Sequence, residues 1–128
     1  MRKLRGPDFR AQVIQHVSLE CRRDDAEALL RFWRAVGFRE VPAPPSLGDR
    51  ATWLQAGATQ VHLLWADEPV VPRQGHVAVL VDDYEGALAA LAADGFATES
   101  RTRHWGAPRS YAHAPGGHVV ELFDQAPG

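Results

Sequence analysis

The stretch Gln15-His16-Val17-Ser18-Leu19 decides the fold, because a similar stretch returns 60 residues later as Gly75-His76-Val77-Ala78-Val79. Two further landmarks repeat in the same order. Gly37-Phe38 recurs as Gly95-Phe96 at an offset of 58, and the segment 57–63 matches 116–122 at an offset of 59. A period near 60 that occurs only twice is too long for a solenoid. The sequence therefore predicts two fused copies of one small supersecondary module.

The first copy begins with the pattern of a strand. Residues 12–20 alternate between two kinds of side chain, with Val13, Val17 and Leu19 on one apolar face and His16 on the other face. Alternation with a period of two is typical of a strand that has two different sides. The apolar face is predicted to pack against a helix.

A helix is predicted to follow this strand and to end before Gly37. Glu27 comes three residues after Asp24, as in a capping box, and apolar residues then recur at helical spacing up to Val36. Glycine after the last turn is a common helix stop. The remaining strands of this copy are predicted over residues 50–56 and 60–65, with residues 57–59 as a hairpin turn.

The second copy repeats this order. It is predicted to contain a strand over 76–81, a helix over 83–94 and strands near 96–101, 108–113 and 118–124. The predicted fold class is α+β, with two tandem βαβββ modules that form curved mixed sheets around a cavity. We expect one domain over residues 11–124, with module one at 11–66, module two at 75–124, and tails at 1–10 and 125–128.

Composition excludes several classes of function. A chain of 128 residues with 45% hydrophobic residues is large enough for one core. Its 14 Lys and Arg against 16 Asp and Glu give a formal charge of −2, so we expect neither a nucleic-acid partner nor a membrane partner. Cys21 is the only cysteine, which excludes an intrachain disulfide and favours a reducing, cytoplasmic location. We expect Cys21 to be buried and structural.

Four potential metal ligands occupy equivalent positions of the repeat. His16, His62, His76 and Glu121 come from the first and last predicted strands of each copy, on the face opposite the helix. Imidazole and carboxylate together suit a borderline transition metal, and a catalytic site leaves one position open. If the two sheets curve together, these side chains converge. In the alternative interpretation, His62 is a proton donor and the other three residues form a two-histidine, one-carboxylate set.

Further polar and aromatic residues are candidates for substrate binding. The segment 101–113 concentrates cationic and aromatic side chains, and Arg109, Tyr111 and His113 share a strand face. Arginine and tyrosine there suit a substrate carboxylate or phosphate, and the alternative is a solvated polar edge strand. Trp53 and Phe123 are candidates for the walls of the pocket, although aromatic residues on sheets also serve packing alone.

The repeat resembles the vicinal oxygen chelate superfamily, which includes glyoxalases, extradiol dioxygenases and bleomycin-resistance proteins. The resemblance rests on the histidine that starts each copy, on the Gly-Phe pair after each helix, and on the closing segments Val61-His62-Leu63-Leu64 and Pro115-Gly116-Gly117-His118-Val119-Val120-Glu121-Leu122. It covers about residues 11–124. It is specific for the fold and says little about the reaction, because one scaffold hosts many chemistries.

The resemblance implies a metal-dependent enzyme of the glyoxalase or dioxygenase type, with a divalent Zn, Ni, Mn or Fe ion. The metal binds neighbouring oxygens of a small substrate and stabilises an enolate or oxyanion. Glu121, or alternatively His62, then moves a proton. The histidine at position 62 departs from the glutamate that glyoxalases carry at this place. The resemblance also implies a homodimer. The alternative function is a metal-free antibiotic-binding protein of the bleomycin-resistance kind.

Overall fold

The computed structural model describes residue 6 and residues 8–127, and it contains two four-stranded sheets with one α-helix beside each. The first half contains β1 (His16–Cys21), α1 (Ala26–Val36), β2 (Arg39–Val41), β3 (Ala51–Ala56) and β4 (Thr59–Trp65). The second half contains β5 (Val77–Leu80), α2 (Tyr84–Ala93), β6 (Thr98–Arg101), β7 (Arg109–His113) and β8 (Val119–Phe123). Neither of these helices is long and apolar enough to cross a membrane.

The two halves have the same topology. The strand order is β1-β4-β3-β2 in the first sheet and β5-β8-β7-β6 in the second. In each sheet the first and last strands of the half pair in parallel, and the other neighbours are antiparallel. The predicted duplication of a βαβββ module is therefore confirmed.

One hydrophobic core joins the two halves. Val17, Leu19 and their neighbours on β4 belong to the same packed cluster as Val120 and Leu122 of the second sheet. The helices α1 and α2 contact each other, and Trp33 of α1 is fully buried in this core. Because the apolar face of each sheet is used in the core, the histidine-bearing faces lie outside it.

The Gly-Phe landmark closes each helix in the same way. Gly37 has φ of 108° and Phe38 donates its backbone N–H to Trp33 O at 2.8 Å. Gly95 has φ of 82°, and Phe96 bonds Leu91 O at 2.9 Å. A left-handed residue after the last turn favours glycine, and the following apolar residue then packs back on the helix. This explains why the pair recurs in both copies.

Two local predictions were wrong. The first strand starts at His16 and not at residue 12, and Val13 is 72% exposed, because pairing with β4 reaches no further than Gln15. The expected capping box at Asp24 does not form: the 3-10 turn Arg23–Asp25 precedes α1, and its N-cap, Asp25, makes no side-chain cap bond.

The thiol of Cys21 provides a test of the core. Burial, and then the nearby Asp25 carboxylate, raise the pKa of this thiol from 9.0 to about 11. The unfolded chain loses the proton first, so the thiol's contribution to stability is present below pH 9 and is lost as the pH rises towards 11. Urea unfolding of the protein and of Cys21→Ala checks this: the stability advantage of the unsubstituted chain should shrink over that interval, whereas parallel pH profiles would contradict it.

Candidate active site

Glu121 lies at the centre of a charged cluster on the second sheet. Its Oε1 lies 3.0 Å from His76 Nε2, and its Oε2 accepts a hydrogen bond from Arg109 Nη1 at 2.9 Å. The side chains of Arg109 and Glu121 are only 8% and 10% exposed. The register of β7 and β8 places Tyr111 directly beside Glu121, on the same face. The sheet thus holds one carboxylate between an imidazole and a guanidinium.

His76 is oriented by the backbone of the segment before β5. Its Nδ1 lies 2.7 Å from Gln74 O, and since a carbonyl only accepts, Nδ1 carries a proton. Nε2, 3.0 Å from Glu121 Oε1, donates to that carboxylate when the ring is protonated, and loss of this proton leaves the Nε2 lone pair free. The Gln74 carbonyl, opposed by burial and supported by the Glu121 carboxylate, raises the pKa of His76 above its usual value. Metal-binding histidines are commonly fixed in this way through their second nitrogen.

Arg109 uses all of its donor nitrogens inside the protein. Besides Nη1 on Glu121, its Nε donates to Thr102 O at 2.6 Å, and its Nη2 donates to His104 Nε2 at 2.9 Å. A guanidinium has no acceptor, so His104 Nε2 is unprotonated here. His104 lies in the segment 101–113 in which the sequence concentrates cationic and aromatic side chains, but this contact was not predicted because it depends on how the segment between β6 and β7 folds back.

The interpretation of segment 101–113 as a polar edge strand was wrong. β7 is an interior strand, and Arg109 is buried. Tyr111 lies between two cations, with the Arg101 guanidinium 4.6 Å and that of Arg109 5.6 Å from its ring centre. Beyond Glu121, Trp105 packs edge-on against Phe123 at 5.3 Å between ring centres. These three aromatic side chains border the charged cluster; Phe123 was expected as a pocket wall and Tyr111 as a substrate contact, whereas Trp105 was not.

The first sheet presents a stack of three rings. His62 lies between His16, at 4.1 Å and 18°, and Trp53, at 3.9 Å and 3°. Burial, and then the His16 ring, lower the pKa of His62 below its usual value. His16 Nδ1 lies 2.7 Å from Gln15 Oε1, and its ring is exposed. Ring nitrogens bind metals in the plane of the ring, so two parallel stacked rings do not aim at the same ion.

Within one chain, the structure does not bring the four predicted ligands together. His16 and His62 lie on the first sheet, whereas His76 and Glu121 lie at the second sheet. In residue 6 and residues 8–127, no three His, Cys, Asp or Glu side chains form a group able to hold a metal ion. The pair on the second sheet nevertheless suits one. Two ligands about 2.1 Å from a common metal and at right angles to each other lie about 3.0 Å apart. His76 Nε2 and Glu121 Oε1 have that separation, 3.0 Å.

Comparisons with known proteins agree with the fold. Residues 13–122 match the Glyoxalase/Bleomycin resistance protein/Dioxygenase superfamily. A glyoxalase family protein from Bacillus anthracis is similar in structure, with a TM-score of 0.80, 21% identity, and coverage of 91% of this chain and 98% of that one. A search of the curated proteins gave no match.

Two further solved structures carry functional names. Fosfomycin resistance protein FosX from Mesorhizobium loti has a TM-score of 0.71 and 20% identity, over 91% of this chain and 95% of that one. Lactoylglutathione lyase from Agrobacterium tumefaciens has a TM-score of 0.66 and 21% identity, over 88% and 93%. At such low identity these similarities establish the fold alone.

Glu121→Gln tests whether the charged cluster is a buried ion pair. The substitution keeps the shape but leaves the Arg109 cation without its counterion, which typically costs about 3–5 kcal/mol. Glu99→Gln is the matched control, because Glu99 pairs at 3.7 Å with Arg101 where both side chains are nearly half exposed, and exposed pairs contribute about 0–1 kcal/mol. Urea unfolding measures both. Equal, small losses would show that the Arg109–Glu121 pair is solvated.

Proposed function

The chain belongs to the Glyoxalase/Bleomycin resistance protein/Dioxygenase superfamily, and on that premise we propose that it is a divalent-metal-dependent enzyme that acts on a small substrate with neighbouring oxygen atoms. The single observation that carries the proposal is the pair His76–Glu121. Its nitrogen and oxygen lie 3.0 Å apart, and loss of the proton between them would leave both atoms free to bind one metal ion while His76 Nδ1 stays protonated.

The proposed metal site needs a second copy of the chain. The described residues of one chain supply only two donors at Glu121, whereas catalytic metal sites use three or more. The histidine-bearing face of the first sheet is the obvious source of a third donor, since it lies outside the core with His16 exposed. We therefore propose a homodimer in which His16 of the partner subunit completes a two-histidine, one-carboxylate set.

Arg109 is proposed to orient the carboxylate instead of binding the substrate. Each of its three nitrogens makes a hydrogen bond within the protein, with Nη1 on Glu121 Oε2, and the side chain is only 8% exposed. This contact leaves Oε1 turned towards His76. Supporting hydrogen bonds of this kind fix the direction of a metal ligand and tune its basicity. Tyr111 and Phe123 remain candidates for contact with the substrate.

The space for a substrate lies beside His76. A cavity of about 450 Å³ is lined there by Arg73, His76, Tyr111 and neighbouring backbone. A divalent metal at this place supplies Lewis-acid stabilisation of negative charge on a substrate oxygen. The protein supplies the proton transfer, for which the candidates are the Glu121 carboxylate and His62, whose pKa is lowered by burial.

A metal-free binding protein is the second candidate function. It is favoured by the Arg109 guanidinium, which already neutralises Glu121, and by the ring stack, in which His16 and Trp53 offer flat surfaces to a ligand. Metal analysis of the purified protein, with melting curves in added Mn²⁺ or Zn²⁺, separates the two functions. Binding at about 100 times Kd adds about 2.7 kcal/mol to stability. A melting temperature that no divalent metal raises would favour the metal-free function.

Mixed dimers test the shared site. His16→Ala and Glu121→Ala each damage both sites of a homodimer, but a dimer of one chain of each kind retains one intact site if ligands come from both subunits. We expect the doubly tagged heterodimer to bind about half the Mn²⁺ of the unsubstituted dimer, and either homodimer to bind almost none. If the heterodimer binds as little Mn²⁺ as either homodimer, the ligands come from a single chain.

A further inference from the structure

A chain of side-chain amides runs along the first sheet and ends at His62. Gln55 Nε2 donates to the backbone carbonyl of Gly57 at 2.8 Å. Gln60 Nε2 donates to Gln55 Oε1 at 3.0 Å. Gln60 Oε1 lies 2.8 Å from His62 Nε2. The register explains the alignment, since Gln55 faces Gln60 across the β3–β4 pair and His62 follows two residues along β4 on the same face.

The backbone carbonyl of Gly57, at one end of this chain of amides, determines which group donates in each of its hydrogen bonds. A carbonyl oxygen only accepts, so the NH₂ group of Gln55 must be turned to Gly57, which turns Gln55 Oε1 to Gln60. Gln60 therefore donates to Gln55 and presents its own oxygen to His62. His62 Nε2 then carries the proton. In the neutral ring, the lone pair lies on Nδ1.

This tautomer is opposite to that of the two proposed histidine ligands. His16 and His76 both have Nδ1 hydrogen-bonded to an oxygen, Gln15 Oε1 and Gln74 O, so Nδ1 carries the proton when either ring is neutral. In His62 the hydrogen-bonded nitrogen is Nε2. The stack between His16 and Trp53 also prevents the His62 ring from turning over in place, because both of its faces are covered.

The unprotonated nitrogen of His62 is not fully enclosed by the protein. Among the described residues, Trp33 Nε1 is the one fully buried side-chain nitrogen or oxygen that lacks a hydrogen-bond partner. His62 Nδ1 also lacks a partner among the described residues but is not fully buried, so a small part of its surface reaches solvent although the residue as a whole is 6% exposed. A partly accessible acceptor held in a fixed direction is suited to a hydroxyl group of a ligand.

We propose that Gln55 and Gln60 are positioning residues that fix His62 with Nε2 protonated, so that Nδ1 accepts a hydrogen bond from a hydroxyl group of the substrate. The role as a substrate contact rests on the proposed function, whereas the fixed tautomer does not. The substrate in this proposal carries a hydroxyl group in addition to its neighbouring oxygen atoms. His62 also differs from the proposed histidine ligands of the metal, because its available nitrogen is Nδ1 and theirs is Nε2.

The tautomer can be measured directly in the metal-free protein. Long-range ¹H–¹⁵N correlation spectra at about pH 8, above the usual histidine pKa, distinguish the two ring nitrogens, and His62→Asn assigns the signals. We expect His62 to have a protonated Nε2, and His16 and His76 to have a protonated Nδ1. A protonated Nδ1 in His62 would overturn the proposal.

Gln55→Lys tests whether the chain of amides determines the tautomer of His62. Lysine only donates, so Gln60 must turn its oxygen to residue 55 and its NH₂ group to His62 Nε2. The expected result is inversion of the His62 tautomer, with the signals of His76 unchanged. Gln15→Lys is the control, because Gln15 contacts His16 and lies outside the chain. Circular dichroism establishes that each variant folds, and Gln60→Lys, which places the donor directly at His62, gives the same inversion if Gln55→Lys does not fold.

A folded Gln55→Lys in which His62 keeps a protonated Nε2 would overturn the role of the amide chain. Mn²⁺ titration of the unsubstituted dimer is a separate experiment that tests the proposed function. Failure to bind Mn²⁺ would contradict the proposed metal-dependent function and remove the substrate role, while the spectra would still decide whether Gln55 and Gln60 fix the tautomer. Inversion together with Mn²⁺ binding supports both.

Discussion

The packing of both sheets on one hydrophobic core is the constraint on which the rest of the structure depends. Val17 and Leu19 on the first sheet, and Val120 and Leu122 on the second, belong to the same cluster. Strands have two faces, so burying one face of each sheet leaves the other for function. The duplication therefore yields two polar faces outside the core.

The two faces have diverged in chemistry although their topology is the same. On the second sheet, Arg109 and His76 hold the Glu121 carboxylate by charged hydrogen bonds. On the first sheet, the equivalent strands carry the stack around His62, whose protons are arranged by neutral amides. One face carries charged side chains in hydrogen-bonded pairs, and the other presents stacked rings. The proposed homodimer would bring one face of each kind together.

The sequence was sufficient to predict which residues share a face. Strand side chains alternate with a period of exactly two residues, so His16, His62, His76 and Glu121 could be assigned to the non-helix faces from the pattern alone. The repeat also predicted the order of elements. The start of β1 could not be predicted, because the exposure of Val13 depends on where the neighbouring strand begins.

Contacts between side chains were harder to predict than faces. The Arg109–Glu121 pair exists because β7 is the interior neighbour of β8, and strand order is a property of the whole sheet. The amide chain at His62 likewise depends on the pairing of Gln55 with Gln60. The separation of the two donor pairs follows from the packing of the modules, which the pattern within each module does not determine.

Anomalous diffraction from crystals grown with Zn²⁺ tests the central claim most directly. If the site is shared, a peak should lie about 2.0–2.2 Å from His76 Nε2 and Glu121 Oε1, with His16 of the partner subunit as the third protein ligand. No His62 nitrogen should bind the metal. A peak coordinated by residues of one chain only, or crystals that contain Zn²⁺ with no peak at Glu121, would contradict the account.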